Sequence, residues 1–312
     1  MALLSVIIPS YNEEENIAKT ASRLREILTG AGIDYELLFI SDGSRDNTFQ
    51  EIEKAAKLDA NVKGFEFSRN FGKEAAIFAG LKCVRGNCAV VIDCDLQHPP
   101  ELIPKMFGLW KEGYDVVEGV KSDRGDESFL HKLFVGAFYG VMSKLMKMNM
   151  NDTSDYKLLD RRVMDVLLEL KESNTFFRAL SFWVGFKSTS ISYEVQERTA
   201  GESKWSFFSL LKYAIMNTTS FTTAPLQLVT FLGIVSIVLA VIMGLQTLVR
   251  YFMGNAVEGF TTVILLVLMI GGFIMLSLGI VGHYIARIYE EVKGRPRYII
   301  ARETGREEVK HE

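Results

Sequence analysis

The chain has 312 residues, 48% of them hydrophobic, a net charge of −3 and three cysteines. That length exceeds one typical domain of about 100 to 200 residues, and the charge gives no sign of a nucleic-acid partner. Cys83, Cys88 and Cys94 are odd in number and lack zinc-like spacing, so reduced structural thiols are expected rather than a disulfide framework or a zinc site.

Met1 to Asn12 has no basic region and too short an apolar run for a signal peptide, so the first 200 or so residues are expected to stay in the cytosol. Ser5 to Pro9 is a β-branched run closing on Ser10-Tyr11-Asn12-Glu13, and helical spacing follows through Ile17, Leu24 and Leu28 to Gly30. Tyr35 to Ile40 repeats the pattern, ends on Ser41-Asp42-Gly43-Ser44-Arg45-Asp46, and leads into a helix to Leu58. Val62 to Phe67 predicts a third strand, followed by Arg69-Asn70-Phe71-Gly72-Lys73-Glu74 and a helix to Val84. Cys88 to Ile92 predicts a fourth, Glu101 to Glu112 a helix, and Asp115 to Val120 a fifth strand. Strands alternating with helices through short links imply an α/β fold, a mostly parallel Rossmann-like sheet with helices on both faces. Right-handed crossovers gather the strands' carboxyl ends, and with them the polar clusters, on one edge.

Asp93-Cys94-Asp95-Leu96-Gln97-His98-Pro99-Pro100-Glu101 stands on that edge. On a strand, residues two apart point the same way, so Asp93 and Asp95 can face one hard cation, with Gln97 as a third oxygen. Mg²⁺ or Mn²⁺ takes one or two protein carboxylates and completes its shell with water and phosphate oxygens, which points to a diphosphate-bearing substrate. Taken singly, the other clusters have plain alternatives. Glu13 to Glu15 suit a solvated first helical turn, Asp42 a turn, Asp46 a cap and Arg69 a surface cation. Their convergence with Asp93 and Asp95 favours a shared site.

Phe129 to Met148 has the composition of an amphipathic helix lying on a membrane or packed on the domain. Leu158 to Leu170 reads as a further helix, and the aromatic stretch Phe176 to Phe186 as core or as an acceptor groove. Gln196 to Trp205 offers Arg198, Gly201, Ser203 and Lys204, a set able to hold a phosphate through charge-assisted hydrogen bonds. From Leu226 to about Tyr251 and from Thr261 to about Ala286 charges nearly vanish over lengths that exceed the 20 or so residues a spanning helix needs, so two transmembrane helices are expected in the lipid bilayer. Lys293, Arg295, Arg297 and Arg302 follow the second span, whereas Gly254 to Gly259 carries no cation; both termini are then cytoplasmic. Gly271, Gly272, Gly279 and Gly282 permit close helix packing and are compatible with a homo-oligomer.

With these motifs in order along nearly the whole chain, the sequence resembles the polyprenyl-phosphate glycosyltransferases of glycosyltransferase family 2, of GT-A fold. It is similar both to dolichol-phosphate mannose synthases and to the bacterial subgroup that loads sugars onto undecaprenyl phosphate. The resemblance rests on Ile8-Pro9-Ser10-Tyr11-Asn12-Glu13, Ser41-Asp42-Gly43-Ser44, Ser68-Arg69-Asn70-Phe71-Gly72-Lys73, Asp93 to Glu101 and Gly201-Glu202-Ser203-Lys204. It implies that Pro9, Tyr11, Glu13 and Asp42, with Asp93, hold the donor nucleotide, and that Asp93, Asp95 and Gln97 organise Mg²⁺ or Mn²⁺ and the diphosphate. It assigns the lipid phosphate to Lys121, Arg124, Arg198, Ser203 and Lys204, and places Asp155 on the acceptor side, so that Asp95 and Asp155 carry the catalytic assignment. Two departures stand out: Ser154-Asp155-Tyr156-Lys157-Leu158 replaces the Gly-Asp-Phe-Arg-Leu of many relatives, and Lys121 to Arg124 matches an arginine pair only loosely.

The implied organisation is a cytosolic catalytic domain over 1–204, a juxtamembrane interfacial helix over 205–225, two transmembrane helices over 226–288 and a cytosolic basic tail over 289–312. The implied reaction is a metal-dependent, inverting transfer of a hexose or N-acetylhexosamine, from UDP-glucose or UDP-N-acetylglucosamine, to undecaprenyl phosphate. A hydroxyl-acceptor membrane transferase shares the donor half but usually carries a Gln-x-x-Arg-Trp motif and more spans; a non-catalytic nucleotide-sugar-binding subunit would have little use for an intact Asp-x-Asp.

Overall fold

A computed structural model describes residues 2–121, 154–170, 172, 176–193, 224–253 and 259–305. Among these, residues 224–294 form one compact unit and the remainder, with 295–305, form another.

The larger unit opens with alternating elements: β1 (Leu3–Ser10), α1 (Ile17–Gly30), β2 (Asp34–Ser41), α2 (Thr48–Leu58), β3 (Val62–Phe67), α3 (Lys73–Cys83) and β4 (Cys88–Val91). A 3-10 turn at Pro100–Leu102 leads into α4 (Ile103–Lys111) and β5 (Val116–Lys121). Then come β6 (Lys157–Asp160), α5 (Arg161–Glu169), α6 (Phe177–Trp183), β7 (Ser188–Tyr193) and, after the smaller unit, β8 (Ile300–Glu303). The eight strands form one sheet in the order β7-β5-β6-β4-β1-β2-β3-β8. β3, β2, β1 and β4 are mutually parallel, β6 runs antiparallel to both β4 and β5, β7 runs parallel to β5, and β8 antiparallel to β3. This is the GT-A-like, mostly parallel arrangement with helices.

The parallel strands are covered on both faces, so they are apolar without alternation: Leu37, Leu38, Phe39 and Ile40 are all fully buried. On one face α1 buries Ile17, Leu24 and Leu28 at helical spacing against β1 and β2, each such burial being worth about 1.5–3 kcal/mol. α3 has no polar face, because Ala75 to Leu81 are buried on every side.

The first four strands and their helices fall where the periodicity puts them. Leu158 to Leu170 does not: it is a short strand followed by a helix, and the switch is made by Asp160. Its carboxylate accepts from Arg162 N at 3.0 Å and caps α5, while Trp110 Nε1 donates to the other oxygen at 2.7 Å. Lys157, Leu158 and Leu159 are buried between β4 and β5, and an apolar run so short carries no period of its own.

The basic tail after the second apolar helix is likewise an element of the sheet. β8 pairs with β3, Thr304 Oγ1 accepts from Gly64 N at 2.9 Å, and Tyr298 stacks on Phe67 at 5.1 Å. Arg302 pairs with Glu66 and lies over the Phe49 ring; Arg297 donates to the Leu170 carbonyl and lies over Phe78. Two of the four cations counted above as a charge signal thus also pack on this domain.

The smaller unit is a helix pair, α7 (Ala224–Phe252) and α8 (Phe260–Lys293), which touch each other. Val229–Arg250 and Met269–Lys293 are long and apolar enough to cross a membrane. Ile237, Leu245, Val267 and Leu278 each expose more than half their surface, which water would penalise and lipid would not. An added Cβ at Gly271, Gly272, Gly279 or Gly282 would meet nothing within 4 Å, so these glycines do not serve the contact between the two helices.

Candidate active site

The loops after β1 and β2 are laced together. Asn12 Oδ1 accepts from Arg45 N at 2.8 Å, Asn12 N donates to Ser44 Oγ at 3.1 Å, and Glu13 N donates to Thr48 Oγ1 at 2.8 Å. Pro9 is the penultimate residue of β1, and Tyr11, just beyond it, keeps 42% of its surface exposed, unusual for an aromatic ring beside a core strand. Asp42 sits in the next loop and is only 3% exposed. Its two oxygens accept from Phe71 N at 2.7 Å and Gly72 N at 2.9 Å; burial raises its pKa and these bonds oppose the rise. The loop 69–72 can dock this closely because Gly43, at φ 62°, has no Cβ; one would stand 2.3 Å from the Arg69 backbone carbon. Asp42 therefore ties the loop 69–72 to the loop after β2.

Asp93 and Asp95 lie past the end of β4, which stops at Val91, so they stand in a turn rather than on a strand. Cys94 between them points into the core, and its carbonyl accepts from Thr20 Oγ1 at 2.7 Å. Asp95 Oδ1 accepts from Gln97 N at 3.0 Å, and Leu96 takes a left-handed conformation at φ 56°, unusual for a side chain that branches at Cγ. The far side of the loop is braced: Tyr156 Oη donates to Pro99 O at 2.9 Å, and the His98 ring stacks on Tyr156 at 5.1 Å with Nδ1 3.8 Å from Asp93 Oδ2. Glu13 feels both aspartates. Its pKa is raised by burial, relieved by the Asn16 hydrogen bond, and raised again by the charges of Asp95, Asp93 and Asp46.

Acidic crowding of this kind, all oxygen, fits a hard divalent cation. Among the described residues no group of three or more His, Cys, Asp and Glu is gathered closely enough to hold one by itself.

The antiparallel strand β6 brings Asp155 to the same place. Its register pairs Cys88 with Asp160 and Val91 with Lys157, and just past that ladder one ammonium reaches both Asp93 and Asp155. Two carboxylates so placed repel. Lys73 answers this, with Nζ 2.6 Å from Asp93 Oδ1 and 3.1 Å from Asp155 Oδ2. Arg178 on α6 adds a two-pronged contact, Nε to Asp155 Oδ1 at 2.7 Å and Nη2 to Oδ2 at 2.8 Å. Burial alone would raise the Asp155 pKa, but Arg178 and then Lys73 overcome it and hold the carboxyl well below the usual carboxylate range.

Next to Lys73, Glu74 accepts from Phe177 N at 2.9 Å and so fixes the start of α6. Burial and the Asp155 charge push its pKa up to about 7. Two residues past Asp155, at the start of β6, the buried Lys157 pairs with Glu118 at 3.1 Å and donates to Ser181 Oγ at 2.8 Å. Burial lowers its pKa, against the pull of Glu118.

Of the residues singled out from sequence, the structure thus brings Glu13, Asp93, Asp95 and Asp155 to one edge, with Asp42 in the adjoining loop and Gln97 in the Asp95 turn. Lys121 ends β5, and its side chain, with Arg124, Arg198, Ser203 and Lys204, lies outside the described residues. Sequence reasoning missed Lys73, Glu74, Arg178 and the Tyr156–His98 brace. Lys73 and Glu74 were within a recognised motif, whereas Arg178 had no local signal at all.

Comparison with known proteins gives the family. Residues 5–167 match the family model described as glycosyl transferase family 2. The putative glycosyltransferase CsbB of Bacillus subtilis is 42% identical over 300 residues, 96% of this chain and 91% of that protein. The bactoprenol glucosyl transferase of Shigella phage SfII is 36% identical over 302 residues, 95% of this chain and 97% of that one. Among solved structures, glucosyl-3-phosphoglycerate synthase from Mycobacterium tuberculosis in complex with UDP superposes with a TM-score of 0.51 at 17% identity, over 70% of this chain and 79% of that one; it shares the fold.

Proposed function

Because the chain belongs to glycosyl transferase family 2 and is a glycosyltransferase, we propose that it moves a glucosyl group from UDP-glucose to undecaprenyl phosphate at a membrane surface. Support for this acceptor comes from similarity to a bactoprenol glucosyl transferase that extends over 95% of the chain, beyond the sheet and through both apolar helices.

The site chemistry favours the same acceptor. A hydroxyl nucleophile needs a base whose pKa lies near the working pH, and Asp155, held low by Arg178 and Lys73, is a poor one. A phosphate monoester, with a second pKa near 6, is already ionised. One of its oxygens attacks the anomeric carbon, the bond from that carbon to the diphosphate breaks with its electron pair leaving on UDP, and configuration inverts. Asp155 then positions rather than deprotonates, and much of the rate comes from alignment.

On the donor side, Tyr11 and Glu13 line the nucleotide pocket and Asp42 sets its shape. Asp93 and Asp95, with Gln97 on the same turn, would hold Mg²⁺ or Mn²⁺. When bound, such an ion offsets the charge that develops on the departing diphosphate. Lys121, Arg124, Arg198, Ser203 and Lys204 are assigned to the lipid phosphate. Both helices cross the bilayer in this account, and since β8 after them pairs with β3 before them, two crossings return the chain to the side it left, the cytoplasmic one by its cations.

The test is transfer by the purified full-length protein. Radiolabelled UDP-glucose, UDP-N-acetylglucosamine, UDP-galactose and GDP-mannose are each supplied with undecaprenyl phosphate and Mg²⁺, and label is counted in an organic extract. The glucose donor is expected to give the largest signal; equal or greater transfer from another donor would overturn the sugar assignment, and none from any donor would overturn the reaction.

A further inference from the structure

Lys73 is where the two halves of the site meet. Its backbone is pinned on both sides: the N–H groups of Phe71 and Gly72 before it are held by Asp42, and Glu74 after it is fixed to the first N–H of α6. Its side chain remains 41% exposed, although its ammonium touches both Asp93 and Asp155. A long side chain on an anchored backbone can change partner without moving the fold.

The two contacts are not equivalent. Asp155 has both oxygens engaged by Arg178 and stays paired if Lys73 leaves. Asp93 has no such second cation among its described ion pairs, apart from the His98 ring at 3.8 Å, which counts only if protonated. While the ammonium sits on Asp93 Oδ1, that oxygen is closed to a metal ion, and bringing a divalent cation beside it sets like charges together. A diphosphate removes the conflict, because it offers the ammonium a new anionic partner at the moment Asp93 is needed.

Building on the assignment of Asp93 and Asp95 as metal ligands, we propose that Lys73 is a resident counter-ion that closes Asp93 in the empty site and yields it only when a nucleoside diphosphate arrives, so that cation binding depends on nucleotide. Lys73 is thus a positioning residue acting through Asp93. The coupling is reciprocal by thermodynamic necessity: whatever factor UDP adds to metal affinity, the metal adds to UDP affinity. Free metal would leave the empty site untouched, and Asp93 and Asp155 would remain paired until the donor enters.

The experiment measures Mn²⁺ binding to the full-length protein in detergent, by the electron paramagnetic resonance signal of unbound Mn²⁺, with and without UDP. Wild type is expected to bind Mn²⁺ about tenfold or more tightly with UDP than without, within the range of ordinary coupling. Lys73→Met is expected to bind nucleotide-free Mn²⁺ about tenfold more tightly than wild type, and to lose a similar factor from the UDP enhancement. A merely structural lysine would give the opposite sign, since a loosened site binds metal less well. Should Lys73→Met fail to fold by thermal unfolding, Lys73→Gln, polar and neutral, takes its place. Unchanged or weaker nucleotide-free affinity in the folded variant overturns the role of Lys73 while leaving the metal ligands standing. A wild-type protein that binds no Mn²⁺ even with UDP overturns the metal assignment itself, and this inference with it.

Discussion

In the loop after β2, the carboxylates at the site's edge are held by backbone N–H groups: Asp42 by Phe71 and Gly72, Asp46 by Thr48 and Glu14. Around the start of β6, two carboxylates are instead held by side-chain cations from distant parts of the chain: Asp155 by Arg178 and Lys73, Glu118 by Lys157. The loop is shaped by backbone hydrogen bonds, and the region around β6 by charges that only the finished topology brings together. Asp93 and Asp95 lie at the boundary.

The sharpest break falls there. Asp95→Ala should lower transfer by about a thousandfold or more, the equivalent of several kcal/mol of lost charge stabilisation on the leaving group; near-normal turnover in that variant would refute the metal assignment. On the acceptor side the expectation differs in kind. Asp155→Asn, which keeps shape and an acceptor oxygen for Arg178, should retain transfer within about tenfold, and Asp155→Ala should lose about a hundredfold. Equal, near-total loss in both would make the charge of Asp155 itself essential.

The same contrast explains what could be read in advance. Tyr11, Glu13, Asp42, Asp93 and Asp95 follow strands of regular pattern, so their gathering on one edge follows from parallel topology alone. Asp155 enters through the resemblance, and its closeness to Asp93 is hidden in the sequence, because β6 is four residues long and reads as the start of α5. Arg178 sits in a seven-residue helix of aromatic composition, where nothing in the neighbouring sequence sets it apart from core. The tail is a related case: Ile300 to Glu303 looks like a basic appendage until β3 supplies the partner that makes it a strand.

Glu74 gives a smaller and pH-dependent effect. Its folded pKa of about 7 stands above the ordinary 4.5, so its contribution to stability is complete below about pH 4.5 and is lost as pH rises to 7, by on the order of 3 kcal/mol. Asp155 is shifted the other way and titrates below this window. Thermal unfolding of wild type and Glu74→Gln between pH 5 and 8 should therefore converge at the acid end and diverge toward neutrality, with the variant the more stable; a constant gap would show that burial of Glu74 does not control the slope.

Smallest is the expected effect of Gly119→Ala. A Cβ there would stand 2.6 Å from the Tyr156 ring, the ring that braces the Asp93 loop through Pro99 and His98. Overpacking of this kind costs about 1–3 kcal/mol, and both melting temperature and transfer rate should fall together; a stable variant with slow transfer would instead assign Tyr156 a direct part in the chemistry.

The most direct trial of the acceptor is a side-by-side assay of the full-length protein with UDP-glucose and either undecaprenyl phosphate or undecaprenol, the same lipid ending in a hydroxyl. Label is expected in the organic phase with the phosphate, released by mild acid, and at background with the alcohol. Comparable transfer to undecaprenol would contradict an enzyme whose nucleophile arrives already ionised.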